Sequence, residues 1–162
     1  MKTILLMRHA KASWDRKEEE DCDRQVTKKG KKDAERIGEH LKKEHMVPEI
    51  ILCSAALRAR QTAEGVMKES KFHGDLCFLN KLYMGEPDAY VAYIQALQDD
   101  IQTALVIGHN PTLDGLLQVL TGKVETLSTS ALANLCAPIE SWKDFTLQVQ
   151  CELVSLWRPK EL

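Results

Sequence analysis

Four short apolar runs restrict the folds open to this chain. ILLM (Ile4 to Met7), IILCS within Glu49 to Ser54, LCFL within Asp75 to Asn80 and ALVIG within Thr103 to Gly108 are each strand-length. None alternates with polar residues; ILLM, IILCS and ALVIG predict strands buried on both faces, as in parallel sheets, and LCFL is a further strand candidate. Between the runs, apolar residues recur at helical spacing. Thr27 is an N-cap for a helix carrying Ala34, Ile37 and Leu41, and Ala63, Val66 and Met67 face inward from about Leu57 to Ser70. Pro87 opens a further helix through Leu97, and Pro111 another through Leu120 that Gly122 closes. Strands alternating with helices predict an α/β three-layer sandwich, a mostly parallel mixed sheet flanked by helices. The last third predicts antiparallel strands: SALANL, then FTLQVQCEL, where Phe145, Leu147, Val149, Cys151 and Leu153 alternate. With 162 residues and no repeat or linker, one domain over 1–162 is expected.

Charge and cysteine usage narrow the function classes. Lys plus Arg number 22 against 24 for Asp plus Glu, a net charge of −2, so no basic field argues for nucleic acid. Lys28, Lys29, Lys31 and Lys32, followed by Asp33, Glu35 and Glu39, predict a solvated helix face. The stretch from Trp14 to Gln25, which contains DRKEEEDCDR, predicts a solvated loop. The five cysteines are widely spaced without C-x-x-C, which points to reduced thiols and a cytoplasmic setting. The first apolar run is shorter than a signal peptide requires, and no stretch approaches membrane-spanning length.

Three of the predicted strands end in a cluster of polar residues. The first ends in Arg8-His9, the second runs into SAALRARQ with Arg58 and Arg60, and the ALVIG strand ends in His109-Asn110. Parallel strands bring their C-terminal ends to one edge, so the clusters can converge on one crevice. Guanidiniums bind phosphate oxygens bidentately and stay charged at neutral pH. A helix beginning after His109 offers backbone N–H groups, including that of Asn110, to the same anion. Neutral imidazole is a competent nucleophile, so one histidine could attack phosphorus while the other stabilises the transferring charge. His40, His45 and His73 are expected at the surface. H-E-x-x-H, G-x-x-x-x-G-K-[ST], G-x-S-x-G and G-x-G-x-x-G are absent, and neither a metal nor an organic cofactor is implied.

LMRHAKAS, SAALRARQTAE and VIGHNPTL resemble the signature motifs of the histidine phosphatase superfamily, the phosphoglycerate-mutase-like fold. DCDRQVTKKGKKDAERIGEHL, STSALANL and WRPKEL extend the resemblance to the small SixA-type phosphohistidine phosphatases. The resemblance implies that His9 is the nucleophile, that Arg8 and Arg58 bind the phosphoryl group, and that His109 completes the pocket. It further implies a hydroxyl from Ser13 near the phosphate and structural roles for Asp23 and Arg24. Arg60 is not at the family's phosphate-binding arginine position and is expected to be a rim or salt-bridge residue. Many members carry an acid after the third strand to protonate the leaving oxygen. Here Lys81 stands near that position in LNKLYMGEPDAY, and Glu86 and Asp88 are the nearby acids.

The expected activity is hydrolysis of a phosphomonoester or phosphoramidate through a phosphohistidine on His9. The substrate is either a phosphorylated protein, such as a histidine-containing phosphotransfer domain, or a small phosphorylated compound. A silent phosphate- or phosphoprotein-binding module on the same crevice is the alternative. A mutase would need a covered pocket, for which the chain leaves few residues.

Overall fold

The computed structural model describes residues 1–14 and 20–162. Strands β1 (Lys2–Arg8), β2 (Ile50–Ser54), β3 (Asp75–Leu79), β4 (Thr103–Gly108), β5 (Leu132–Ala137) and β6 (Glu152–Trp157) form one sheet in the order β3-β2-β4-β1-β5-β6. The first four are mutually parallel; β5 runs antiparallel to both β1 and β6. Helices α1 (Lys28–Lys43), α2 (Leu57–Ser70), α3 (Pro87–Gln95) and α4 (Thr112–Thr121) complete the α/β sandwich. Among the described residues, no helix is long and apolar enough to cross a membrane.

The central strands read as unbroken apolar runs because both faces are covered. Leu5 and Met7, with Ile51, Cys53, Leu105 and Ile107, pack under Ala34, Ile37 and Leu41 of α1 and Ala59, Ala63 and Val66 of α2. Ile4, Leu6, Leu52, Ala104 and Val106 point the other way, onto Tyr90, Val91 and Ile94 of α3 and Leu113, Leu116, Leu117 and Leu120 of α4. Strand alternation thus divides each run between two cores. The layers have a consequence for function. β1 and β4 are neighbours, yet the chain leaves β1 toward the α1 face and leaves β4 toward the α4 face. That divergence opens a crevice at their C-terminal ends.

Helix starts and stops follow the expected chemistry. The Thr27 hydroxyl accepts from the Gly30 N–H at 3.0 Å, and Gly122 ends α4 in the left-handed region at φ 72°. α1 and α2 pack at backbone distance, because a Cβ on Gly38 would stand 2.5 Å from the Val66 carbonyl oxygen.

Four expectations need correction. FTLQVQ is not a strand: β6 begins only at Glu152, and residues 145–151 cross the end of the second core irregularly. Their alternation is real but serves a draped segment. Phe145 and Cys151 are buried, the Phe145 carbonyl accepts from Gln95 Nε2, and the Cys151 N–H donates to the Leu120 carbonyl. Thr146 also turns the chain on itself through its carbonyl and hydroxyl, which accept from the N–H groups of Val149 and Gln148. Asp33 is buried rather than solvated, paired with Lys29 at 3.0 Å, and His40 stands half-buried edge-on to Trp157. The stretch from Trp14 to Gln25 is not simply a solvated loop either. Part of it, 15–19, lies outside the described residues, whereas Asp21–Asp23 form a 3-10 turn and Arg24 is buried. All five cysteines are free, with Cys53 and Cys151 buried.

Candidate active site

At the crevice lies a cavity of about 830 Å³ lined by Arg8, His9, Arg58, His109, Asn110 and Asp21 among others. Arg8 and His9 arrive from the end of β1, whose register sets Arg8 against Gly108 of β4. Arg58 enters from the first turn of α2. Arg60, two residues on, is turned about 200° around that helix, and it stacks on Phe78 at 4.7 Å on the exposed surface. Sequence order alone put the two arginines together; helical geometry separates them.

Hydrogen bonds assign the histidine protons. His9 Nδ1 lies 2.8 Å from the Ala10 carbonyl oxygen, which can only accept, so Nδ1 carries the proton. Nε2 is left with its lone pair facing Arg58, whose Nε–H reaches it at 3.4 Å. His109 has the opposite arrangement: Arg58 Nη2 donates toward its Nδ1 at 3.5 Å, so Nε2 carries the proton and donates to Ser54 Oγ at 2.7 Å. The two rings stand 5.1 Å apart between centroids. Burial, then the neighbouring guanidiniums, push His9 down to about 4. Burial followed by the charges of His9 and Arg58 takes His109 to about 3. Both rings are neutral near pH 7.

The backbone behind them is braced. The Ala10 N–H donates to Thr62 Oγ1 at 2.8 Å, and the His109 N–H donates to the Tyr90 hydroxyl at 3.3 Å. That approach needs Gly108, since a Cβ there would stand 2.3 Å from the Tyr90 oxygen. Ser130, in the left-handed region at φ 64°, turns its N–H onto the carbonyls of both Arg8 and His9. Arg8 Nη1 and Asn110 Nδ2 share the Leu127 carbonyl at 3.1 and 3.0 Å. Arg8 Nε is buried without a partner among the described residues, a donor left over at the cavity wall.

Other expected residues fall in varied places. Asn110 lines the cavity, but its side chain is engaged, with Oδ1 accepting from the Asp114 N–H at the start of α4. Ser13 is not among the lining residues; its carbonyl accepts from Arg24 Nε, and its N–H donates to Gln25. Arg24 ties the loop together, as expected, and stacks on Trp14. Glu86 precedes α3, makes no capping hydrogen bond with its side chain and lines the cavity, whereas Asp88 does not line it.

Asp21 and Tyr83 are the residues sequence reasoning missed. Arg58 Nη1 donates to the Asp21 carbonyl at 2.8 Å and Nη2 to its carboxylate at 3.2 Å, while the Tyr83 hydroxyl donates to the same carboxylate oxygen. Tyr83 also stands edge-on to His109 at 5.5 Å. The Tyr83 hydrogen bond, followed by those of Arg24 and Arg58, holds Asp21 down to about 2 against a smaller opposing effect of burial. Nothing in DRKEEEDCDR distinguishes Asp21 from its acidic neighbours. For Tyr83, the available signal is an aromatic hydroxyl in the short link between β3 and α3, where Leu82 and Met84 stand on either side of it. Among the described residues, no group of three or more His, Cys, Asp or Glu side chains is placed to hold a metal ion.

Comparison with known proteins agrees with this geometry. Residues 4–76 match the family model of the histidine phosphatase superfamily (branch 1). An uncharacterized protein of Mycobacterium leprae is 33% identical over 119 residues, 72% of this chain and 71% of that one. An uncharacterized chloroplastic protein of Arabidopsis thaliana is 29% identical over 150 residues, 87% of this chain and 69% of that one. Among solved structures, one described as the phosphohistidine phosphatase SixA of Agrobacterium tumefaciens superposes with a TM-score of 0.84 at 27% identity, covering 98% of both chains. The protein histidine phosphatase SixA complexed with tungstate gives the same TM-score, identity and coverage. This chain belongs to the histidine phosphatase superfamily and carries its phosphatase fold in the compact SixA form.

Proposed function

We propose that this phosphatase removes the phosphoryl group from phosphohistidine on a protein, with His9 as the nucleophile. One observation carries the reading: the Ala10 carbonyl fixes the His9 proton on Nδ1, which leaves the Nε2 lone pair beside Arg58 in a cavity that Arg8 and His109 also line. The Nε2 lone pair attacks phosphorus, and the bond to the leaving atom breaks with its electron pair staying on that atom. Water then attacks the same phosphorus, the P–Nε2 bond returns its electrons to the imidazole, and inorganic phosphate leaves. Arg8 and Arg58 bind the equatorial oxygens with donors already in place. Burial, then the surrounding positive charge, keeps His109 neutral; a bound dianion opposes the charge effect and favours a proton on Nδ1 to meet a phosphoryl oxygen.

The likeness to a tungstate-bound SixA supports an oxyanion in this crevice. A phosphohistidine substrate is favoured over a phosphomonoester because, among the described residues, no acid is held at the leaving side. Glu86 is exposed and its side chain makes no capping hydrogen bond, and Asp21 is kept ionised. An alkoxide leaving group needs a delivered proton, worth ~10²–10⁴-fold, whereas an imidazole protonated on its other nitrogen leaves neutral. A retained nucleophile with its proton assigned also favours an enzyme over a silent binding module.

The test is single-turnover reaction with a phosphorylated histidine-containing domain. Wild type should form a phosphoenzyme that is labile in acid and stable in alkali. His9→Ala should form none and lose turnover by about three orders of magnitude or more. Near-wild-type turnover in the variant would overturn the assignment.

A further inference from the structure

Asp21 is an odd occupant of a phosphate site. An anion beside a pocket for a dianion repels it, and nothing in the proposed displacement uses this one. It is also held deliberately: Arg24 Nη1 meets one carboxylate oxygen at 3.2 Å, while Arg58 Nη2 and the Tyr83 hydroxyl meet the other. Its side chain is 43% exposed and lines the cavity, so those partners leave part of it open to an incoming group.

Its location follows from Arg58. That guanidinium touches His9 through Nε and Asp21 through Nη1 and Nη2, so it spans from the nucleophile to the carboxylate. In an in-line displacement the leaving group departs on the side of phosphorus opposite the nucleophile. The end of Arg58 away from His9 lies near the ring of Tyr83 and on Asp21. A leaving group departing away from the nucleophile along Arg58 would meet that carboxylate.

We propose that Asp21 is a specificity-determining residue that accepts an N–H from a phosphorylated imidazole and disfavours dianionic phosphoesters. The inference rests on the phosphohistidine reading above. Phosphohistidine protonated on its second ring nitrogen presents a cationic N–H donor at its outer edge. An anionic acceptor there favours the protonated ring, so when the P–N bond breaks the electron pair stays on the released nitrogen and the ring departs neutral. No acid need deliver a proton during the step. An aryl phosphate offers neither donor nor positive charge, and its leaving oxygen gains negative charge toward the same carboxylate. Asp21 therefore acts on the two substrates with opposite sign.

Opposite sign is what the experiment reads. kcat/KM is measured for phosphoimidazole and for p-nitrophenyl phosphate with wild type, Asp21→Asn and Asp21→Glu. Asp21→Asn should lower the phosphoimidazole value and raise the aryl phosphate value, changing their ratio by roughly tenfold for a partly exposed charge. Asp21→Glu should keep most of the wild-type ratio. If Asn lowers both substrates in parallel, Asp21 merely buttresses Arg58 and the inference fails; it fails equally if neither value moves. A wild type inactive on both compounds and on the phosphorylated histidine-containing domain would instead remove the phosphatase reading itself.

Discussion

His9 and His109 are buried against guanidiniums, and both the kinetics and the stability should show it. With His9 lowered to about 4, the acidic limb of kcat/KM should lie well below the ordinary imidazole value of 6.5, once the substrate's own ionisation is factored out. A limb centred near 6.5 would mean that His9 is not the nucleophile or not desolvated. The same shift makes stability fall in acid. Between 6.5 and about 4 the unfolded chain binds protons at these positions that the folded chain does not, so stability is full above that window and declines as pH drops through it. Urea titrations from pH 7 to 4.5 should show a shallower decline in a His9→Gln, His109→Gln double variant than in wild type. The two arginines of L-R-A-R give a sharper contrast at this scale. Arg58→Ala should cost roughly 10²–10³ in kcat/KM as a lost donor to the developing charge. Arg60, stacked on Phe78 outside the cavity, should be nearly silent. A larger loss from Arg60→Ala would mean that the register of α2 is wrong.

At the scale of elements, legibility depended on whether a segment's backbone and side chains serve the same neighbour. α1 was readable because the Thr27 cap and the apolar stripe agree, and α2 from its apolar stripe alone, since Ala56 makes no capping bond. β1, β2 and β4 were readable because burial on both faces leaves no polar interruption, while the edge strand β3 keeps Phe78 exposed. Residues 145–151 carried a strand's alternation without a strand's partner: their side chains reach the core while their backbone bonds go to α3, α4 and a local turn. Period two reports which side chains point inward, not what the backbone pairs with. Asp21 was illegible for a related reason, since its role comes from a meeting with Arg58 and Tyr83, 37 and 62 residues away in the chain. The α1–α2 contact carries its own prediction. Gly38→Ala improves local helix propensity by about 1 kcal/mol. The added carbon, however, meets a backbone carbonyl that cannot swing aside. Overpacking of this kind costs ~1–3 kcal/mol, so the variant should lose stability on balance, by up to a few degrees in Tm. An unchanged or raised Tm would show that the two helices can part without cost.

Across the whole molecule, the link between β3 and α3 decides what becomes of a phosphoenzyme. Only residues 80–86 join those elements, and within them Leu82, Tyr83, Met84, Gly85 and Glu86 supply one wall of the cavity. Met84 is 83% exposed at this wall, and Trp14 is 72% exposed across the mouth beside Arg24. No further element among the described residues folds over the opening. A transferase for phosphoryl groups must keep water from its phosphoenzyme until the acceptor arrives, which requires closure. On the proposed mechanism, a phosphoryl group on His9 stands in a cavity that water can enter, and the opening leaves room for a phosphorylated side chain standing on a protein surface. Turnover should therefore end on water. In H₂¹⁸O, single-turnover decay of the phosphoenzyme should place one labelled oxygen in the released phosphate. Millimolar glycerol or a phosphorylated sugar acid should divert little of the phosphoryl group, and mixed phosphodonor and alcohol should give free phosphate rather than a new ester. Efficient capture by an alcohol would mean that the pocket closes around its second substrate, and the mutase reading would then displace the hydrolase.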